Sequence, residues 1–401
     1  MWKNRKLMRI YAIVLVDIMA GSIIWPAYPQ FVAHTSQPAL YLALGTAFFI
    51  GIQWIAAPLL GKFSDYYGRR PVFILSAFGT LGANLMLLPR NVWAYWSNHA
   101  SDGFTNGVYA AVRASITDIS PEKDLGRNIG IEGTIVSIGF VLGPMLAAGV
   151  LTLLKVDESQ SALVLIFTGL SLSLLNVFIC WFFEETLPQP APTPARWWKT
   201  LLANSLSVRG HLVQLQSLNR ERPGLFVTVV LQLCLTLALG YYHYFIPFLS
   251  LSRLQMNPAQ ISWFFVYFGL ISILVNSYFY GYLIYKINVQ RFIPPVALLG
   301  LFTLMAYAWA EQSLVWLYVI VTIDCLTLSL LPGLMDGLIA EYTKNEDRGT
   351  LFGLTQALNG LASFCTTLVF GGLAMVSLTA PFYWFGLCLL PLIFSYRLFK
   401  T

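Results

Sequence analysis

The sequence has 401 residues, of which 57% are hydrophobic and only 10% charged. Soluble domains carry about 25% charged residues, so a water-soluble globule is excluded. The net charge of +6 would suit nucleic acid, but the cations sit in short connections between apolar runs, so no nucleic-acid partner is expected.

The runs are about 20 residues long, the length of a helix that crosses roughly 30 Å of hydrocarbon. The strict alternation of a barrel strand is missing. Twelve helical spans are predicted, over 7–32, 39–61, 71–89, 92–119, 127–154, 161–183, 223–250, 258–286, 291–310, 313–341, 348–375 and 379–399. The expected class is an all-α membrane protein with twelve transmembrane helices. The expected domains are a six-helix bundle over 1–183, a linker over 184–222 and a second six-helix bundle over 223–401.

Span one begins with a basic head like a signal peptide's. It lacks a small-residue cleavage site and its apolar stretch is too long, so it is expected to persist as a helix. Asp17 lies about ten residues into it, some 15 Å along the axis and near the midplane. Span two carries Gln53 mid-span.

Between spans two and three stands "LLGKFSDYYGRRPVF", with Lys62, Asp65, Arg69 and Arg70. Gly61 and Gly68 permit tight turns, and Pro71 suits a first helical turn. Asp65 is expected to meet a helix N-terminus. Arg69 or Arg70 is expected to bridge to Asp118 at the end of span four, forming a latch that holds one state and releases in another.

Span four places Asp102 near mid-depth and His99 one turn away on the same face. Arg113 in span four and Glu132 in span five are expected to pair. The alternative is that Arg113 meets Asp336 of span ten across the two bundles. Span five contains "GFVLGPMLAAG", in which Gly139, Gly143 and Gly149 allow close helix approach and Pro144 bends the span.

The 184–222 connection opens with "TLPQPAPTPA" and continues "RWWKTLLANSLSVRGHLVQLQ". Trp197, Leu201, Leu202 and Leu206 fall near helical spacing, so this is either an interfacial amphipathic helix or a plain tether. Span seven reads "LALGYYHYFIPF", and Tyr241, Tyr242 and His243 are candidates for a substrate wall or for an interfacial aromatic belt. Gln232, Asp324, Gln356 and Asn359 are further mid-span polar candidates for substrate binding. Asp324 lies in span ten, the counterpart of span four.

The five cysteines (Cys180, Cys234, Cys325, Cys365 and Cys388) lie inside apolar runs without metal-ligand spacing, and no metal or cofactor is expected. Of the 24 Lys and Arg residues, only Arg90, Lys155 and Arg253 fall on one side of the predicted membrane. Arg113 lies within a span, and the rest share the other side. That asymmetry puts both termini in the cytoplasm. "EKDLGRNIG" before span five and "NEDRGTLFG" before span eleven look like weak repeats, with Asp118 and Glu341 ending the spans ahead of them.

"GKFSDYYGRR" resembles the loop motif of the major facilitator superfamily. "GFVLGPMLAAG" resembles the antiporter motif of its twelve-helix drug:proton exporters. "LVDIMAGSIIWPAYPQF" resembles the first helix of the bacterial tetracycline exporters, with an acid followed by Pro26 and Pro29. The sequence departs from that family in two places. The span-four arginine of the family is replaced by His99 and its polar partner by Asp102, and the span-three acid has no counterpart, since Ala83 and Asn84 stand there.

The resemblance implies two pseudo-symmetric bundles in a bacterial inner membrane and a functional monomer that exports a small, lipophilic or amphipathic molecule in exchange for protons. The competing expectation is a dedicated metabolite exporter, for instance of a siderophore. Asp17, His99 and Asp102 are the expected proton-coupling residues, with a static hydrogen-bonded pair as the competing reading. No enzyme motif of the HExxH, GxSxG or Walker type is present, so no enzymatic activity is expected.

Overall fold

The computed structural model describes residues 5–187, 189, 197–199, 207–342 and 348–395. No strand occurs among them. Eight helical stretches among the described residues are long and apolar enough to cross a membrane, and Leu314–Cys325, Leu331–Ala340 and Ala380–Ile393 are shorter apolar ones. In hydrocarbon every backbone N–H and C=O must be satisfied internally, and helices achieve this within one segment.

The N-terminal helices are α1 (Arg5–Ser22), α2 (Tyr28–Val32), α3 (Pro38–Tyr67), α4 (Arg69–Met86), α5 (Val92–Asn106), α6 (Tyr109–Ile119), α7 (Glu122–Leu153) and α8 (Glu158–Trp181). α9 (Val208–Glu221) follows. The remainder are α10 (Leu225–Ala238), α11 (Tyr241–Leu251), α12 (Pro258–Tyr278), α13 (Val289–Ala310), α14 (Leu314–Cys325), α15 (Leu331–Glu341), α16 (Arg348–Ala374), α17 (Ala380–Cys388) and α18 (Leu390–Ile393).

Several predicted spans are interrupted. Span four is α5 and α6, broken at Gly107 and Val108, and span ten is α14 and α15, broken between Leu326 and Leu330. Span seven is α10 and α11, and span twelve is α17 and α18. The predicted loop between spans two and three is almost wholly helical: α3 runs to Tyr67, α4 starts at Arg69, and Gly68 alone joins them. Gly68 has φ +103°, a conformation that favours glycine.

Two compact units result. One comprises Met1–Pro38, Phe48–Leu206 and Met256–Val266; the other comprises Ala39–Ala47, Ser207–Gln255 and Tyr267–Thr401. The expected contiguous bundles therefore each surrender a short piece. Trp263 donates from Nε1 to Thr152 Oγ1 at 3.4 Å within the first unit, and Gly371 packs against Ala43 within the second.

In the first unit α1 packs most extensively on α7. Glycines allow it: a Cβ on Gly139 would fall 2.7 Å from Ile18 Cγ2, and one on Gly143 would collide with Ser22 Oγ. Gly149 has open space around it, so it does not serve the close approach expected of it. α7 continues as one helix through Pro144. A second pair, Gly103 and Gly107, brings the α5–α6 break onto α3, where a Cβ on Gly107 would lie 2.8 Å from the Ala56 carbonyl carbon. Gly61 of α3 likewise faces Ala110 of α6.

Of the predicted amphipathic segment, Trp197 is described and packs edge-on against Tyr66. Leu201, Leu202 and Leu206 lie outside the described residues, as do Lys344 and the first residues of the "NEDRGTLFG" repeat. The side chain of Glu341 is likewise not described.

Candidate functional site

Asp17 sits in the core of the first unit, where it is 8% exposed. Its Oδ1 accepts from Thr80 Oγ1 of α4 at 3.3 Å and from Asn176 Nδ2 of α8 at 3.1 Å. Its Oδ2 accepts from the Tyr109 hydroxyl of α6 at 3.2 Å. Three helices thus converge on one carboxylate, and every donor is neutral. A cavity of about 10 Å³, lined by Asp17, Tyr109, Ser76, Asn176 and apolar side chains, adjoins it. Its volume is about that of one water molecule, and its polar groups are Asp17, Ser76, Tyr109 and Asn176.

Asp102 on α5 is partly exposed, and its carboxylate interacts with Asn106 one turn on and with the charge of Asp17. His99 is buried. Its Nδ1 lies 3.0 Å from the Tyr95 carbonyl oxygen, and the rings of Tyr28, Tyr95 and Phe49 surround it. Among the described residues no hydrogen bond joins His99 to Asp102. The i,i+3 spacing put them on one face, but the imidazole turns into an aromatic cage.

The second cluster is built on α3, α4 and α6. Arg69 donates from Nε to Asp118 Oδ2 at 2.9 Å, and from Nη1 to Asp65 Oδ1 and Ser64 Oγ, each at 2.6 Å. Lys62 also reaches Asp65 at 3.3 Å. The expectation that Asp65 meets a helix N-terminus is therefore corrected. That place belongs to Glu185, whose Oε1 accepts from the Arg69 N–H at 2.9 Å and whose Oε2 accepts from the Arg70 N–H at 3.0 Å. Helix starts expose such unsatisfied N–H groups, and a carboxylate there is favoured. Burial works against the Glu185 charge, but the N–H groups of Leu187, Arg69, Arg70 and Thr186 outweigh it and hold the carboxyl below the usual carboxylate range. Arg70 donates to the Trp181 carbonyl at 2.8 Å, so only Arg69 bridges to Asp118.

Arg113 Nε lies 3.6 Å from Glu132 Oε2. Asp336 is bonded elsewhere, accepting from Gln232 Nε2 at 2.6 Å. Thr236 donates to Asn359 Oδ1 at 3.0 Å, so Gln232, Thr236, Asp336 and Asn359 share one polar region of the second unit. Gln53 is partly buried on α3, and Gln356 is exposed on α16.

Asp324 is fully buried. It accepts from the Tyr241 hydroxyl at 2.5 Å and from the Tyr307 hydroxyl at 2.7 Å. Of the expected aromatic wall, Tyr241 is thus in the core of the second unit, Tyr242 is half-buried against it, and His243 is exposed. Sequence reading passed over Thr80, Tyr109, Asn176, Glu185 and Tyr307. Only Tyr109 carried a signal, four residues before Arg113 and so on the same helical face.

A family model described as Major Facilitator Superfamily matches residues 10–367. The chain belongs to that superfamily. As a superfamily member it is a multi-pass membrane protein of a transporter family, not an enzyme family. It is 28% identical over 193 residues to a tetracycline resistance protein, class H, of Pasteurella multocida, covering 47% of this chain and 46% of the relative. It is 34% identical over 148 residues to the class E protein of Escherichia coli, covering 36% of each. The chain therefore spans less than half the length of either tetracycline relative. It is 26% identical over 366 residues to the human major facilitator superfamily domain-containing protein 10, covering 87% of this chain and 76% of the relative. A crystal structure of that protein, described as the human organic anion transporter MFSD10, covers 99% of both chains with a TM-score of 0.66 and 22% identity. A POT family transporter superposes with a TM-score of 0.74 at 11% identity, covering 98% of this chain and 96% of its own. These structures share the fold.

Proposed function

We propose that this superfamily member exports small, lipophilic or amphipathic molecules in exchange for protons, as a monomer in a bacterial inner membrane with both termini in the cytoplasm. The observation that carries the reading is Asp17, a carboxylate in the core of a membrane unit, held by three neutral donors from three helices. Ionisable groups at such depth are costly and mark ion pathways.

Protonation changes what this site asks of its surroundings. The carboxylate only accepts, and three donors suit it. A protonated carboxyl donates one hydrogen bond, so one partner must turn from donor to acceptor. The hydroxyls of Thr80 and Tyr109 can reverse and the Asn176 amide N–H cannot, so uptake of a proton changes the bonds that tie α4 and α6 to α1. Asp102, within electrostatic reach, responds to the same charge. The tetracycline relatives support a drug-like cargo, and the close approach of Gly139 and Gly143 to α1 is consistent with the antiporter reading of their motif.

A second reading, export of an organic anion or another dedicated metabolite such as a siderophore, is favoured by the longer match to the human relative, whose structure is described as an organic anion transporter.

The test is reconstitution into liposomes loaded with a pH-sensitive dye, followed by addition of tetracycline, ethidium or an organic anion such as p-aminohippurate. Proton release on adding tetracycline or ethidium, absent in Asp17→Asn, is expected. A response confined to the anion favours the second reading. Transport indifferent to the proton gradient refutes the proton coupling.

A further inference from the structure

Glu132 is a buried acid that the scheme above leaves without a task. It is 2% exposed, and among the described residues its Oε2 has no hydrogen-bond partner. Its counter-ion, Arg113, is 59% exposed and holds it only from 3.6 Å, beyond hydrogen-bond reach. A buried carboxylate with so loose a pairing is expensive to keep.

Its position follows from helix register. Gly139 faces Ile18 and Gly143 faces Ser22, so α1 and α7 run side by side with matched rises. This carries Glu132 level with Tyr11, whose hydroxyl donates to the Asn128 carbonyl one turn before Glu132 at 3.0 Å. Glu132 is then about six residues, roughly 9 Å at 1.5 Å per residue, from the level of Asp17, toward the end of α1 that holds Arg5 and Arg9.

α6 connects the two acids. Tyr109 and Arg113 are four residues apart on it and share a face. Tyr109 bonds Asp17, and Arg113 faces Glu132. The water-sized cavity beside Asp17 is lined by Tyr109 and Val112, three residues apart on α6, and so lies along the buried side of that helix. Among the described residues, the titratable and charged groups facing Glu132 are Arg113 and Tyr109 from α6 and Tyr11 from α1, and Tyr11 also feels Arg127 of α7.

We propose that Glu132 is a second proton-carrying residue, which receives the proton that Asp17 gives up and passes it on toward the N-terminal end of α7, with Arg113 as its lock. This deepens the antiport reading and rests on it. The Asp17 carboxyl loses its proton and returns to the three-donor carboxylate. The Glu132 carboxylate gains that proton, becomes neutral and frees Arg113. Glu132 then yields the proton to water at the basic end of the unit and is locked by Arg113 again. Breaking and remaking the pair couples proton passage to movement of α6 against α7.

Two readouts test this in the full-length protein. The first is the pH-dependent carbonyl-stretch band of protonated carboxyl groups, recorded by infrared difference spectroscopy on purified protein without any cargo. Glu132→Gln is expected to remove one component and Asp17→Asn another. Arg113→Gln is expected to shift the titration of the component that Glu132→Gln removes. An unchanged spectrum in Glu132→Gln overturns the proposal whatever the cargo proves to be.

The second readout compares tetracycline uptake driven by a proton gradient with exchange of labelled for unlabelled tetracycline at equal pH. In Glu132→Gln the driven rate is expected to fall about a hundredfold, the low end for a positioned proton-transfer group, and much further than exchange. Glu132→Asp is expected to recover most of it. Equal loss in both modes, or no rescue by Asp, makes Glu132 a packing residue and overturns the proposal. Absence of gradient-driven uptake in the unmodified protein refutes the antiport reading instead, and the spectral result still decides whether Glu132 takes a proton.

Discussion

Arg69 and Asp118, 49 positions apart, meet at 2.9 Å between Nε and Oδ2 and tie the first turn of α4 to the last turn of α6. The same guanidinium holds Asp65 and Ser64 of α3. One buried cation therefore fixes three helix ends, and its planar fork is what allows it.

Arg69→Lys retains the charge but loses the fork, since an ammonium cannot serve Asp118, Asp65 and Ser64 in that geometry. Removing one member of a buried pair costs about 3 kcal/mol or more. Arg69→Lys and Asp118→Asn are each expected to lower the thermal unfolding midpoint in detergent, and the double variant to lose less than the sum. Additive losses would show that the two residues are not coupled.

Glu185 gives a pH signature of opposite origin. Its carboxyl is held below the usual range by four backbone N–H groups. A group depressed in the folded state stabilises above its unfolded pKa of about 4.3, and that contribution disappears as pH falls through the lower folded value. Glu185→Gln is expected to lower the midpoint at about pH 7 and to flatten the loss of stability toward about pH 3. Parallel profiles for the two proteins would mean that the cap contributes nothing.

The contrast between these two residues explains what the sequence could and could not tell. Lipid forces helices and runs of fixed length, so the helical spans were readable, and the charged loop pointed to Arg69 or Arg70 as the partner of Asp118 without choosing between them. Glu185 was not readable because its contact with Arg69 spans 116 positions from an irregular segment. Thr80 and Asn176 were missed for another reason: a neutral polar residue in an apolar run does not say which neighbour it faces. Asp65 went astray because the loop it was placed in is helical, which turns its side chain toward Arg69 one turn on.

The glycines of the α7 motif look alike in sequence and differ in space. Gly143 abuts Ser22 and the Met19 carbonyl of α1, whereas nothing lies within 4 Å of a Cβ on Gly149. Gly143→Ala is expected to destabilise by about 1–3 kcal/mol through overpacking. Gly149→Ala is expected to be neutral or slightly stabilising, by up to about 1 kcal/mol, as glycine leaves a helix interior. Equal effects on the unfolding midpoint would refute the α1–α7 contact.

Asp324 offers a test inside the second unit. It is fully buried and its two hydrogen bonds come from Tyr241 and Tyr307. Tyr307→Phe removes one donor, keeps the ring stacked on Phe382, and leaves one carboxylate oxygen without a partner. An orphaned buried acceptor costs about 1–3 kcal/mol, more when it is charged. In an Asp324→Asn background the group is neutral, so the same Tyr307→Phe change is expected to cost less. Unfolding midpoints of the four proteins measure the difference. A loss from Tyr307→Phe that is as large with Asn as with Asp would place the value of Tyr307 in its ring packing, and the carboxylate would be held by Tyr241 alone.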